Sequence, residues 1–284
     1  MVLSAILRGL VDSVDLAVYS YVKPGAPHRY SLRFKDLRPY VALLTSALKN
    51  YLRSAELGAS VATGSLGFVN IGLGALIRDS IQDSISYLKR VQLPEFHIFM
   101  IPACIAASYT LKMKDKFVIQ IYLSARKSLL NYTGPHEVLK IYEALRNSGG
   151  ELSRSLYESG VTSSKIVAES LSLEEFLNLL SNNYKYLSFA TTKYNYILEA
   201  SNAFIKEYEK ENDWNASAVA SYSTLLNALG VNIKFPHKLE SREDFKKILS
   251  LDVELSSKNV DYTPLISPLT EAILISLLTI YPSK

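Results

Sequence analysis

Phe117-Val118-Ile119-Gln120-Ile121-Tyr122 is the stretch on which the fold class turns. Taken alone, a short run of β-branched and aromatic residues reads as a buried strand. The run does not stop there, because Leu123, Ala125, Leu129 and Leu130 continue it at helical spacing. A strand cannot keep that period, since its side chains alternate faces at every residue. The stretch therefore reads as the start of a helix, and the strongest candidate for a strand disappears.

Helical periodicity dominates on either side of it. Leu37, Tyr40, Val41, Leu44, Leu48, Tyr51 and Leu52 share one face, which predicts a helix over Leu37 to Leu57. Ser172-Leu173-Glu174-Glu175 has the form of a capping box, and Leu173, Phe176, Leu177, Leu180 and Tyr184 continue it as an apolar stripe. Ile197, Ala200, Phe204 and Tyr208 recur in the same way, as do Val219, Tyr222, Leu225, Leu226 and Leu229. Ser267-Pro268 reads as an N-cap and first-turn pair before an apolar helix running to about Tyr281. Turn markers such as Pro24-Gly25, Gly64 to Gly67, Gly134-Pro135 and Gly149-Gly150 leave no long structureless interval. The reading is one all-α, multi-helix domain over residues 1–284.

Composition narrows the class further. Hydrophobic residues make up 48% of the 284 and charged residues 20%, as in an ordinary folded soluble protein. The net charge of +4 comes from dispersed Lys and Arg. No basic block suggests a nucleic-acid partner, while a mild positive excess suits an anionic small molecule. Cys104 is the single cysteine, which excludes an intrachain disulfide and favours a reducing, cytoplasmic setting. Arg8, Asp12 and Asp15 interrupt the N-terminal apolar run, so it lacks a signal-peptide core. Phe96 to Leu111 is broken by His97 and Pro102, and Ala272 to Tyr281 is short. Both are expected to fall below the roughly 20 residues of a membrane span and to be buried core helices. His97, His136 and His237 share no metal-ligand spacing.

Two segments carry candidate chemistry. In Val22-Lys23-Pro24-Gly25-Ala26-Pro27-His28-Arg29, Pro24 fixes its φ and Gly25 allows a positive one, so the chain can reverse sharply. A sharp turn can aim Lys23 and Arg29 at one spot, beside free backbone N–H groups, as a polyphosphate requires. The alternative is a helix-ending turn with solvated charges. Thr63-Gly64-Ser65-Leu66-Gly67-Phe68-Val69-Asn70-Ile71-Gly72-Leu73-Gly74 is glycine-rich without being a P-loop, since no Gly-Lys-Ser/Thr follows. It reads either as a tight helix–helix contact or as backbone that approaches a ligand.

The first of these segments resembles the Lys-Pro-Gly-Asn-Val-x-Arg signature of the triphosphoribosyl-dephospho-CoA synthase family, with Ala26 and Pro27 at the departing positions. The second resembles that family's Thr-Gly-Gly-x-Asn-Thr-x-x-Gly stretch through Asn70 and Gly74. Tyr142-Glu143-Ala144-Leu145-Arg146 with Gly149-Gly150, the segment from Ser172 to Tyr194, and Ser267-Pro268 through Leu278 follow in the family's order. The resemblance thus spans nearly the whole chain. It implies an all-α protein that moves the triphosphoribosyl group of ATP onto dephospho-CoA, or a related nucleotide, and releases adenine. It implies ATP and Mg²⁺ as cofactors, and Lys23, Gly25, Arg29, Asn70 and Gly74 as nucleotide contacts; His28, inside the same turn, reads either as a further contact to phosphate or ribose or as an ordinary surface His. Most of the carboxylates it leads one to expect are absent: Ala17, Leu32 and Ser188 stand where acids are expected. Asp36 and Glu271 are the remaining acids for a base or metal role. The alternative it leaves open is an inactive paralogue that binds nucleotides or serves as a helical interaction protein.

Overall fold

The computed structural model describes residues 2–89 and 91–281. From the N-terminus, α1 (Val2–Tyr19) leads through an irregular segment to α2 (Arg38–Ser46) and α3 (Leu48–Ala62). A 3₁₀ turn at Phe68–Asn70 precedes α4 (Leu73–Leu88), followed by α5 (Glu95–Lys114), α6 (Ile119–Tyr132) and α7 (Pro135–Ser148). Next come α8 (Gly150–Glu158), α9 (Ser163–Ala168) and α10 (Leu173–Ser181), then a 3₁₀ segment at Lys185–Ala190. The chain closes with α11 (Asn195–Glu211), α12 (Trp214–Ala228), α13 (Arg242–Ser257), a 3₁₀ turn at Thr263–Leu265, and α14 (Ile266–Ile280). Among the described residues there is no strand, and the all-α expectation holds.

Two helices form the axis of the core. Every α5 residue from Glu95 to Ser108 is buried, and α14 is buried from Ile266 to Leu278. Such a helix needs neighbours on all sides. α1, α3, α6 and α14 surround α5, while α1, α11 and α12 pack on α14. α4 lies on α7, which in turn carries α8 and α9. By length and composition, Glu95–Lys114 and Thr263–Ile280 could each cross a membrane, which corrects the expectation that both apolar stretches fall short. In this fold 83% and 89% of those segments are buried among the other helices.

Three boundaries differ from the sequence reading. The helix expected over Leu37 to Leu57 divides at Ala47 (φ −105°, ψ 16°), although Leu44 and Leu48 keep an unbroken i, i+4 spacing. Ser267 does not cap α14: the Thr263–Leu265 turn runs directly into the helix, and Leu265 is the N-cap. Pro264 sets up that turn, and Pro268 is tolerated in the first helical turn. Tyr184 lies beyond the end of α10, whose Ser172–Glu175 capping box is present in both directions. In the decisive stretch, Val118 is extended (φ −127°, ψ 110°) and the helix starts at Ile119.

Candidate functional site

The Lys23–Arg29 turn is folded as sharply as its sequence implies, but it faces inward. Lys23 is fully buried and its Nζ donates to Ser20 Oγ at 2.7 Å. Burial, with Arg29 adding to it, holds the ammonium well below the ordinary lysine range. The Gly25 amide is not free, because it donates to Asp252 Oδ1 at 2.8 Å. Gly25 has φ +78°, and a Cβ there would press into the Tyr262 ring. The Gly25 carbonyl accepts from the Tyr262 amide at 2.8 Å, and the Pro24 carbonyl from the Tyr222 hydroxyl at 2.7 Å. His28 is also buried; its Nδ1 accepts from the Tyr30 amide, and its Nε2 stands 3.3 Å from Asp252 Oδ2, off the line of a hydrogen bond. Burial lowers its pKa against the opposing pull of Asp252. Arg29 alone is exposed, and it bonds the Tyr19 carbonyl and Asn215 Oδ1. Lys23 and Arg29 thus have separate partners, and the turn is locked into α12, α13 and the segment after α13.

Lys23→Met removes a buried amine with no carboxylate partner and should stabilise the fold, on the order of 1–4 kcal/mol at neutral pH. The unfolded chain binds a proton at Lys23 more readily than the folded one, so wild-type stability rises with pH across that interval. The advantage of Lys23→Met should therefore shrink as pH climbs from the depressed value toward about 10.4. Thermal midpoints of the two proteins across that range measure it.

The other expected contacts are placed elsewhere. Gly74 sits where α4 crosses α7, and a Cβ there would collide with the Glu137 carbonyl. Glu137 Oε2 accepts from the Ala75 amide at 2.9 Å, which caps α4, and its other oxygen pairs with Lys140. The tight helix contact is the outcome here. Asn70 is exposed on its 3₁₀ turn. Glu271 is fully buried: Oε1 accepts from Tyr122 (2.8 Å), Tyr194 (2.8 Å) and Arg126 Nε (2.7 Å). Arg126 also bonds the Ala190 carbonyl and lies over the Tyr194 ring, 3.9 Å from its centroid. Glu271 is a structural counterion.

Of the expected acids, Asp36 alone lines a cleft, one of about 370 Å³. The cleft lies where the segment after the Lys23–Arg29 turn meets the first residues of α5 and α8, Tyr184 and the Thr263–Leu265 turn. Its rim carries Arg33, Lys35 and Asp36, all exposed. Arg33 pairs with Asp261 at 3.1 Å, and Asp36 with Arg38 at 3.0 Å. The starts of α5 and α8 add the positive ends of two helix dipoles. Glu95 forms the buried floor, with Oε1 accepting from the Tyr184 hydroxyl at 2.7 Å and Oε2 without a partner. Burial pushes its carboxyl up to about 7, against the lowering pull of the Tyr184 hydroxyl and of its own backbone amide, with a smaller upward push from Glu151.

Arg33, Glu95, Glu151 and Asp261 have no role in the sequence reading, and Tyr184 has one only in the apolar stripe that follows Ser172. Glu95 had one visible signal, a carboxylate at the head of the most apolar helix, after Leu93-Pro94. Its partner Tyr184 is 89 positions away. Among the described residues, no group of three or more His, Cys, Asp or Glu side chains stands close enough to hold a metal. Compared with protein-family models, curated proteins and solved structures, the chain matches none.

Proposed function

We propose that this chain is a nucleotide-binding protein of the triphosphoribosyl-dephospho-CoA synthase kind, and that the cleft between Asp36 and Glu95 is where the nucleotide or CoA-type ligand sits. The observation that carries this reading is the cleft's charge arrangement. Lys35 and Arg33, the latter shared with Asp261, stand at the rim for phosphate among the carboxylates of Asp36 and Glu151, two helix starts favour an anion, and a buried carboxyl with a vacant oxygen lies below. The volume of about 370 Å³ falls within the range of small-molecule sites. The Lys23–Arg29 turn supports the site from behind: Gly25 is bonded to Tyr262, next to the Asp261 and Thr263 of the wall.

The two carboxylates named for Mg²⁺ do not make a site for it. Glu271 is spent on Arg126, and Asp36 stands alone on the rim with Arg38. Nothing in the binding reading depends on the ion.

Glu95 favours a second reading, in which transfer also occurs. Breaking the bond between ribose C1′ and adenine needs a proton for the leaving base, and the attacking hydroxyl must lose one. A carboxyl that titrates near 7 can hold and release a proton at neutral pH. The test is incubation with ATP, Mg²⁺ and dephospho-CoA, with adenine followed by chromatography and ATP binding by thermal shift. A raised melting midpoint with ATP is the expected result, and free adenine would add transfer to it. No stabilisation by any nucleotide would remove both readings and leave a helical interaction protein.

A further inference from the structure

Glu95 lines the cleft as its buried floor, with Oε2 without a hydrogen-bond partner and Oε1 held by Tyr184. A buried carboxylate oxygen in that state is costly unless something donates to it. Phosphate cannot, because it carries only acceptors at neutral pH and would be repelled. A hydroxyl can. The rim above carries Arg33 and Lys35, which suit phosphate and do not suit a bare polyol. The cleft therefore divides by depth, with a hydroxyl acceptor at the floor and anion-binding groups at the mouth.

We infer that Glu95 reads the sugar hydroxyls of a phosphorylated sugar, the ribose diol of a nucleotide being the form that fits the reading above. The inference rests on that reading for the nucleotide, and adds the residue that selects it. The charged and titratable groups that line the cleft with Glu95 are Tyr184, Glu151 of α8, Tyr40 of α2, Asp261, and Arg33, Lys35 and Asp36 of the rim. None of them has a hydrogen bond to Oε2. A sugar hydroxyl donates to the ionised carboxylate, so the preference for a diol strengthens as pH rises through the range in which Glu95 ionises.

The probes are ATP and 2′,3′-dideoxy-ATP, titrated calorimetrically into the full chain at about pH 6 and about pH 8, values that bracket the Glu95 carboxyl. Wild type should bind ATP tighter by on the order of ten- to a hundredfold, with the ratio larger at the higher pH. Glu95→Gln should narrow the ratio of ATP to dideoxy-ATP affinity and abolish its dependence on pH. Equal affinity of wild type for the two nucleotides, or a ratio in Glu95→Gln that still grows with pH, would overturn the role of Glu95 and leave the cleft as a nucleotide site. If neither nucleotide binds wild type, the nucleotide reading falls and the inference with it. The wild-type comparison decides the matter even where the variant does not fold.

Discussion

Glu271→Leu is expected to destabilise the fold by about 3–5 kcal/mol, enough to unfold much of the protein. The change strands the Arg126 guanidinium in the core and takes the acceptor from the hydroxyls of Tyr122 and Tyr194. Removing both charges, as Glu271→Leu with Arg126→Met, should recover most of the loss, because the stranded charge goes with it. Urea unfolding of the single and double variants measures the difference. A Glu271 serving a metal or a substrate would give the opposite sign, since relieving a strained functional carboxylate commonly stabilises a fold.

Gly74→Ala is expected to cost about 3 kcal/mol or more. The new methyl group would meet the carbonyl carbon, carbonyl oxygen and Cα of Glu137, so no flexible side chain can move aside. Relief requires α4 and α7 to separate, which would also pull the Glu137 carboxylate from the Ala75 amide it caps. Lost helix signal at temperatures where wild type is folded, seen by circular dichroism, is the measurement. Where Gly74→Ala remains folded, ATP binding should be unchanged, because Gly74 does not line the cleft.

The fold class was legible because helix periodicity is written locally: Leu123, Ala125, Leu129 and Leu130 were enough to decide the ambiguous run before them. Breaks within helices were less so. Nothing in the spacing of Leu44 and Leu48 marks the break at Ala47, where the backbone leaves helical geometry. Lys23 was legible as part of a sharp turn, but the side of that turn facing solvent depends on Tyr222, Asp252 and Tyr262, far along the chain. Glu95 was hidden for the same reason. A carboxylate in a first helical turn has an ordinary explanation in the helix dipole, and its separation from water becomes visible once Tyr184 and the surrounding walls are in place.

The bond from the Gly25 amide to Asp252 closes a span of 227 positions. A ribosome delivers the turn 227 positions before its clamp, so Lys23 and His28 must wait, hydrated, until Asp252 has emerged. The wall of the cleft that hangs from this turn is therefore set only once Asp252 and Tyr262 have emerged. The chain cannot present a finished cleft until both ends of that 227-position span have been made.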